Sequence, residues 1–274
     1  MWAPRAQALT DGHRIRLASS AAPYAAAVVL EANHRSCSAV RVASHTYLLA
    51  GHCLNGLKLR RSQKVRLLAT NGKRFEHLRV TDSLLHPLYA SPVRHPEREA
   101  IENYLNTTVD LGLVELEPLG KKDPAQPFLE AALGTALPEY KEADLGTSVI
   151  VVGGGCESVN PLSAQCEGKL SGNQGYLKAA RRKLVRPKLK NMDLPTGQFY
   201  YATNSSAGRS LGPGDSGGPL LLPNGRVLGI HSLITAVQTE GEHTLPNYHV
   251  KLSHPAVASW LRLHLEKPVL LTAR

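Results

Sequence analysis

The residue type best suited to attack a carbonyl carbon stands in a glycine-rich hexapeptide, Gly214–Pro219, with the sequence Gly-Asp-Ser-Gly-Gly-Pro. Glycines beside a serine allow backbone conformations with positive φ and bring backbone N–H groups close to an incoming carbonyl oxygen. Such N–H groups form an oxyanion hole, which stabilises the charge that develops on this oxygen. The hexapeptide therefore indicates that Ser216 is a nucleophile in acyl transfer.

A serine hydroxyl is a weak nucleophile at neutral pH, so it needs a neighbouring base that a carboxylate in turn orients. His52 follows the predicted strand Thr46–Leu49 in the segment Leu-Ala-Gly-His-Cys. Asp110 directly precedes the predicted apolar strand Leu111–Leu116, where its carboxylate could be buried and would then need a partner. The chain thus offers a histidine, an aspartate and a serine in that order.

The chain resembles the trypsin/chymotrypsin-like serine peptidases in the order of these three residues, in the residues around each, and in the pair Cys37 and Cys53. Its Leu-Ala-Gly-His-Cys and Gly-Gly-Gly-Cys segments look most like those of bacterial-type members. The resemblance covers roughly residues 15–265 and includes a Gly-Gly-Gly-Cys turn that ends at Cys156. It implies an all-β fold of two six-stranded antiparallel Greek-key β-barrels with a C-terminal α-helix. It also implies a serine endopeptidase.

The same resemblance implies a role for each residue of the site. Ser216 would attack the peptide carbonyl, His52 would accept and return the proton, and Asp110 would fix the imidazole tautomer. The backbone N–H groups of Gly214 and Ser216 would bind the oxyanion, and water would then hydrolyse the acyl-enzyme. We expect no cofactor and no metal ion.

Short apolar or alternating runs predict strands on both sides of a proline-rich connector. The first group is Tyr24–Leu30, Ala39–Ala43, Thr46–Leu49, Lys64–Leu68, Leu78–Val80 and Leu111–Leu116. The second group is Ser148–Val152, Gln198–Ala202, Pro219–Leu222, Arg226–His231 and Tyr248–Leu252, followed by a helix over Pro255–Leu265. We predict an N-terminal extension or propeptide, a first barrel, a connector, a second barrel, and a C-terminal helix with tail, at residues 1–23, 24–117, 118–147, 148–252 and 253–274.

The resemblance also indicates which residues surround the side chain that precedes the cleaved bond, P1: Ser210, His231, Ser232, Leu233, Ile234, Asn247 and His249. Trypsin-like enzymes carry an aspartate where Ser210 stands, so we expect P1 not to be Arg or Lys. His231 and His249 favour an acidic or amide P1, because an imidazole donates a hydrogen bond to either group. Ile234 and Asn247 favour a small or aliphatic P1 instead, and both alternatives stay open. Ser232 also matches the serine that supports the buried aspartate, and its strand should pair with the substrate backbone.

Asp215 has a structural role in relatives of this type, where it pairs with a new α-amino group released by proteolysis. The nearest candidate bond for such cleavage is Arg14–Ile15, although the residues that follow match the usual activation segment poorly. Two hypotheses follow: the chain is activated by cleavage there, or Asp215 has an internal partner.

Composition limits the function classes for the 274 residues, because 42% are hydrophobic and 20% are charged, as in ordinary globular proteins. No apolar run approaches the length needed to cross a bilayer. The net charge of +10 is concentrated at Lys178–Lys190, which we interpret as a solvated strand pair or loop and alternatively as an anion-binding patch. With only 5% aromatic residues, nucleic acid is not an expected partner. The expected partners are a protein or peptide substrate, and they could include a protein inhibitor.

Four cysteines, at positions 37, 53, 156 and 166, suit two local disulfides better than a zinc site, since no Cys-x-x-Cys doublet occurs. Disulfides would imply an oxidising compartment, so we expect a secreted or periplasmic protein; reduced pairs in the cytosol are the alternative. The opening Met1–Arg5 lacks the apolar stretch of a secretory signal, so such a signal was removed or never present.

Two other functions remain open. One is a catalytically silent relative that acts as a binding module through Lys178–Lys190. The other is an esterase of the α/β-hydrolase type, in which the histidine follows the serine in the chain, so that His52 would have no role.

Overall fold

The computed structural model describes residues 13–14, 27–69, 75–91, 98–119, 145–156, 166, 177–186, 188–189, 192–193, 198–203, 210–234, 237–239, 242–244 and 246–265. Its first half contains β1 (His13–Arg14), β2 (Ala27–Ala32), β3 (Arg35–Arg41), β4 (Thr46–Leu49), α1 (Gly51–Gly56), β5 (Lys64–Ala69), β6 (Phe75–Leu85), α2 (Arg98–Thr107) and β7 (Gly112–Pro118). Its second half contains β8 (Ser148–Gly153), β9 (Lys178–Lys183), β10 (Lys188–Leu189), β11 (Met192–Asp193), β12 (Tyr200–Thr203), β13 (Pro219–Leu221), β14 (Val227–Ile234), β15 (Val237–Thr239), β16 (Glu242–Thr244), β17 (Asn247–Lys251) and α3 (Pro255–Leu265).

The first barrel closes on itself through six antiparallel strands in the order β2-β3-β4-β7-β6-β5. Strand β2 is central to this closure, since Leu30 pairs with Cys37 on β3 and with Leu67 on β5. Apolar, often β-branched side chains fit a pleated surface that is buried on one face. The barrel interior is accordingly filled by such residues, among them Val28, Leu30, Leu67, Val80 and Val114.

The second barrel uses the same strand order. Its six strands are neighbours in the order β9-β8-β13-β14-β17-β12, and β1 adds to the outer edge of β9. An isolated bridge between Leu184 and Thr203 joins the two ends, so this barrel is open except at that point. If the strands of each barrel are numbered one to six along the chain, both barrels have the circular order one, two, three, six, five, four. The count starts at β2 in the first barrel and at β8 in the second, where the step from two to three is the bridge between the ends of β9 and β12. The architecture confirms the predicted pair of six-stranded antiparallel barrels.

The C-terminal helix α3 has the predicted bounds, Pro255–Leu265. Proline suits its first turn because that position has no helical partner for an N–H group. Val257, Trp260 and Leu261 are buried in a hydrophobic cluster that also contains Val29 and Leu48 of the first barrel. No helix among the described residues is long and apolar enough to span a membrane.

Several elements differ from the sequence predictions. Helices α1 and α2 have no counterpart among the predicted elements, and β6 runs over eleven residues where the sequence predicts only Leu78–Val80. Part of the basic segment forms β9, in which Lys178 and Arg182 are buried between neighbouring strands. A strand in this segment agrees with its interpretation as a solvated strand pair or loop, whereas the burial of these two cations departs from it. Domain boundaries stay predictions, since residues 120–144 and most of 1–26 lie outside the described ones.

Candidate active site

His52 is held by Asp110 at the point where β4 passes into α1. The backbone N–H of His52 donates to Asp110 Oδ1 at 2.8 Å, and the ring Nδ1 lies 2.7 Å from Oδ2. Because an ionised carboxylate only accepts, Nδ1 carries the proton and Nε2 is left with a lone pair. Glycine is required at position 51, since a Cβ there would overlap the ring of Tyr89 and crowd the Asp110 carboxylate.

Asp110 is fully buried and has further partners from the second barrel. Ser232 Oγ donates to Asp110 Oδ2 at 2.6 Å, and the backbone N–H of Asp110 lies 3.3 Å from the Tyr200 hydroxyl. Burial would raise the pKa of Asp110, but the charge of His52 and the hydrogen bonds from His52 and Ser232 outweigh it and lower the pKa. Burial likewise opposes the charged form of His52, but Asp110 raises the pKa of that ring above its ordinary value.

Ser216 lies on the turn between β12 and β13, which contacts the first barrel. Its carbonyl accepts a hydrogen bond of 2.9 Å from the Ser38 N–H, and the next residue, Gly217, donates to the His231 carbonyl at 2.8 Å. Gly217 has φ of 85°, and a Cβ there would overlap the carbonyl of Ser38. Only glycine fits this close approach, so the glycine after the serine sets its position against the first barrel.

A cavity of about 360 Å³ brings the candidate residues together. It is lined by His52, Ser216, Gly214, Ser232 and the Cys37–Cys53 disulfide, among others. Within the described part of the chain, Ser216 Oγ makes no hydrogen bond to His52, so the bonded chain runs from Ser232 through Asp110 and ends at the imidazole. Catalytic hydrogen bonds are often longer without substrate and shorten in the bound complex.

The backbone N–H groups of Gly214 and Ser216 donate to no acceptor within the described residues. Gly214 has φ of 93°. Unpaired N–H groups beside a nucleophile can bind an oxygen that gains negative charge. The arrangement of an oriented imidazole, a neighbouring serine and two available donors can therefore carry out acyl transfer.

A family model described as Trypsin matches residues 10–261 of the chain. The chain belongs to the trypsin family. It is a serine-type endopeptidase, as the motifs indicate. No curated protein matches the chain at a significant level.

Solved structures of the trypsin fold resemble this chain at low sequence identity. Neuropsin, a serine protease expressed in the limbic system of mouse brain, is 20% identical with a TM-score of 0.61, covering 93% of this chain and 99% of neuropsin. A mutant of human heparin binding protein is 17% identical with a TM-score of 0.58, covering 96% of this chain and 99% of that protein. At this identity the likeness shows the fold alone.

Four of the residues predicted to surround P1 in this trypsin-family chain are buried polar residues that bond in two pairs, Ser210 with Asn247 and His231 with His249. Ser210 Oγ donates to Asn247 Oδ1 at 2.8 Å, and the Leu211 N–H donates to the same oxygen at 3.1 Å. Ser210, His231, Asn247 and His249 are buried, and of the predicted set only Ser232 borders the cavity among the described residues. Leu233 and Ile234 continue β14 and pair with β17, but the side chain of Ile234 lies outside the described part.

His231 and His249 face each other with their Nδ1 atoms 2.8 Å apart, and His249 Nε2 lies 3.0 Å from Thr203 Oγ1. Burial lowers the pKa of His231 to about 3 and lowers the pKa of His249 well below its ordinary value. Both rings are therefore neutral near pH 7. If His249 donates to His231, then His231 Nε2 carries a proton; that buried nitrogen makes no hydrogen bond within the described residues.

Asp215 is the second fully enclosed carboxylate among the described residues. Its Oδ1 accepts from the Gly155 N–H at 2.7 Å and its Oδ2 from the Gly212 N–H at 2.9 Å. Burial raises its pKa to about 7, although these two donors and the charge of Lys178 act in the opposite direction. Arg14 pairs with β9, whereas Ile15 lies outside the described residues.

The cysteines form the disulfides Cys37–Cys53 and Cys156–Cys166. Cys37, His52 and Cys53 have potential ligand atoms within 4.8 Å of one another. Because the two sulfurs are bonded to each other, the group offers no thiolates, and these residues do not fit a zinc ion.

Sequence reasoning missed three residues that hold the site: Ser38, Tyr200 and Thr203. Ser38 Oγ contacts the turn that carries Ser216, Tyr200 contacts Asp110, and Thr203 contacts His249. Each stands on a largely buried strand, where a polar side chain needs a partner. That requirement is a signal that the sequence carries, but it does not name the partner.

Proposed function

We propose that His52, Asp110 and Ser216 perform the peptide-bond hydrolysis of this trypsin-family endopeptidase. Ser216 Oγ attacks the substrate carbonyl carbon while His52 Nε2 accepts the hydroxyl proton. The tetrahedral oxyanion receives hydrogen bonds from the Gly214 and Ser216 N–H groups. The C–N bond then breaks, and His52 returns the proton to the leaving amine.

The second half of the reaction repeats these steps with water. His52 takes a proton from the water molecule, whose oxygen attacks the acyl-enzyme ester on Ser216, and the carboxylic acid product leaves as Ser216 regains its proton. Asp110 keeps the proton on Nδ1 throughout and stabilises the imidazolium, because its own pKa is lowered.

The observation that carries this proposal is the hydrogen-bonded chain from Ser232 through Asp110 to His52, which ends at the cavity that Ser216 also lines. Such a chain fixes one imidazole tautomer and leaves its second nitrogen available to a hydroxyl. The two unpaired N–H groups beside Ser216 supply the complementary oxyanion-binding part.

A serine-directed fluorophosphonate tests the proposal. It should label the wild-type protein once per chain and leave Ser216→Ala unlabelled, and peptide hydrolysis by that variant should fall about 10⁶-fold. Ser253→Ala is a matched control, because Ser253 contacts the Tyr201 hydroxyl and does not line the cavity. Equal labelling of wild type and Ser216→Ala would refute the assignment.

For specificity, we propose an acidic, amide or small P1 residue rather than Arg or Lys. Support comes from Ser210, whose hydroxyl bonds to Asn247, so no carboxylate stands there to bind a cationic side chain. The neutral His231–His249 pair could donate one hydrogen bond to a carboxylate or amide if substrate binding exposes the pair. The buried Asn247 would otherwise shorten the pocket and favour a small residue.

Matched peptides with Glu, Gln, Ala or Arg at P1 separate these versions by kcat/KM. Preference for Glu or Gln that is lost in His231→Ala supports the acidic or amide version. Preference for Ala supports the small version. Preferential cleavage after Arg contradicts both.

The alternative is a catalytically silent binding module, and one human protein of similar fold is named for binding heparin. In that case the fluorophosphonate would leave wild-type protein unlabelled, while a sulfated polysaccharide would bind it.

We also propose that the protein works outside the reducing cytosol, secreted or in a periplasm. Its two disulfides favour an oxidising compartment. Fractionation of cells that produce the native protein distinguishes medium, periplasm and cytosol.

A further inference from the structure

Ser38, on β3 of the first barrel, makes three hydrogen bonds to loops of the second barrel. Its hydroxyl donates to the Gly214 carbonyl at 2.8 Å and accepts from the Gly154 N–H at 2.9 Å. Its own backbone N–H donates to the Ser216 carbonyl at 2.9 Å. The side chain is fully buried, so no solvent competes for these contacts.

We propose that Ser38 is a positioning residue that holds the oxyanion-binding N–H groups of Gly214 and Ser216 in place. This inference rests on the proposed function. The Gly214 carbonyl belongs to the peptide unit that lies between the two donor N–H groups. Its hydrogen bond to Ser38 holds the carbonyl end of the one unit through which both donors are connected, while the N–H end donates to the Gly212 carbonyl at 3.0 Å. The Ser38 N–H holds the unit that follows Ser216.

The turn needs such a restraint because glycine permits large backbone rotations. Gly214 has φ of 93°, a conformation that glycine enters and leaves at little cost. Rotation of the Gly214–Asp215 peptide would move its carbonyl away from the Ser38 hydroxyl and reorient the neighbouring donors. Oxyanion stabilisation depends on donors that are oriented before charge develops.

Serine is suited to this position because its hydroxyl is both a donor and an acceptor. Here it donates to a carbonyl and accepts from an amide at once, which alanine cannot do. The rest of the turn has separate anchors, since the Gly155 and Gly212 N–H groups bind Asp215. Loss of the Ser38 hydroxyl should thus loosen the donors without releasing the whole loop.

The test compares Ser38→Ala with wild type, with active sites counted by fluorophosphonate stoichiometry so that unfolded chains do not contribute. We expect kcat to fall by about 10-fold to 100-fold, less than the about 10²–10³-fold typical of a deleted donor, with KM nearly unchanged. Affinity for a peptide aldehyde, which forms a tetrahedral adduct with Ser216, should fall by the same factor as kcat/KM. Ser253→Ala is the control and should change neither quantity.

A second pair keeps the test independent of the alanine variant's folding. Ser38→Thr retains the hydroxyl and Ser38→Val replaces it by a methyl group of similar size. The threonine variant should exceed the valine variant in kcat by about 10-fold or more. The proposal is overturned if kcat is equal for wild type and Ser38→Ala and also for Ser38→Thr and Ser38→Val. It is also overturned if Ser38→Ala raises KM and leaves kcat unchanged.

The failure of this inference can be told from failure of the proposed function. If wild-type protein is labelled and cleaves peptides but Ser38→Ala matches it, only the inference about Ser38 is wrong. If Ser216→Ala cleaves as well as wild type, the catalytic assignment fails, and with it the basis of the inference.

Discussion

Two aspartates are enclosed in the described part of this protein, and their surroundings differ. Asp110, between the barrels, contacts the imidazole of His52 and the hydroxyl of Ser232. Asp215, which directly precedes Ser216 in the chain, accepts hydrogen bonds from the backbone N–H groups of Gly155 and Gly212. The pKa of Asp110 is lowered, whereas burial raises the pKa of Asp215 to about 7.

The comparison shows what keeps a buried carboxylate charged. Desolvation is the largest influence on both groups, and it favours the neutral acid. At Asp110 the charge of His52 and the hydrogen bonds from His52 and Ser232 together outweigh desolvation, while at Asp215 two amide donors and the charge of Lys178 do not. Asp110 is therefore ionised throughout the neutral range, and Asp215 changes its charge within that range.

Of the changes that alter one of the two carboxylates, removing the charge at Asp110 should have the largest effect on activity. In Asp110→Asn the amide no longer favours the proton on His52 Nδ1, so the ring can adopt the wrong tautomer. We expect kcat to fall about 10⁴-fold at pH 7, measured with a chromogenic peptide. Asp82→Asn is a matched control, because Asp82 is exposed on β6. Activity of Asp110→Asn within tenfold of wild type would contradict the role of this carboxylate.

Removing the charge at Asp215 should instead alter the pH dependence of stability. Between about pH 4, the unfolded pKa, and the folded pKa of about 7, the native state binds more protons, so the free energy of unfolding falls as pH rises. The rise in the pKa of Asp215 corresponds to a free energy of unfolding that is about 4 kcal/mol lower above pH 7 than below pH 4. Asp215→Asn should lack this contribution, as urea unfolding at several pH values would reveal.

That comparison needs the difference between the two pH curves, because other groups titrate in the same range. A wild-type curve and an Asp215→Asn curve that stay parallel from about pH 4 to pH 7 would show that Asp215 is ionised throughout.

Cleavage at Arg14–Ile15 provides a further contrast. If the new α-amino group reaches Asp215, its positive charge should lower the pKa of Asp215 and remove the fall in the free energy of unfolding.

The pH profile of kcat/KM distinguishes the two carboxylates by their effect on His52. The ring must be neutral to accept a proton from Ser216, and its pKa is raised above 6.5, so activity should be lost as pH falls through a value above 6.5. Asp110→Asn should move this acid limb to lower pH, because the charge that raises the pKa is gone. Asp215→Asn should leave the limb in place; a shift there would mean that Asp215 controls it.

The barrels can be predicted from the sequence better than the contacts across them. Thr46–Leu49 and Pro255–Leu265 have the same bounds in the prediction and in the structure, since alternation and helical spacing are local properties. Helix α2 is not among the predicted elements, although Ile101, Tyr104 and Leu105 stand at the spacing of one helix face. The roles of the individual site residues stay predictions, although their order in the chain matches a known pattern.

The contacts of Ser38 and Tyr200 could not be found in the same way. Ser38 meets Gly214 across 176 positions of the chain, and Tyr200 meets Asp110 across 90. In both cases the partner is a backbone group, which every residue possesses, so the residue type carries no mark of the contact. Only the relative placement of the two barrels determines it.

Tyr200→Phe should give the smallest effect, because it changes the support of Asp110 without changing its charge. The Tyr200 hydroxyl lies 3.3 Å from the Asp110 N–H and donates to the Thr108 carbonyl at 3.0 Å, so its loss leaves two buried backbone groups unpaired. We expect a stability loss of about 1–3 kcal/mol and a fall in kcat of less than about 10-fold. Tyr201→Phe is the matched control, since that hydroxyl contacts Ser253 instead. If Tyr200→Phe instead lowers kcat as far as Asp110→Asn does, the backbone position of Asp110 matters as much as its charge. The difference between Asp110 and Asp215 would then depend on where each carboxylate is held and not only on its hydrogen-bond partners.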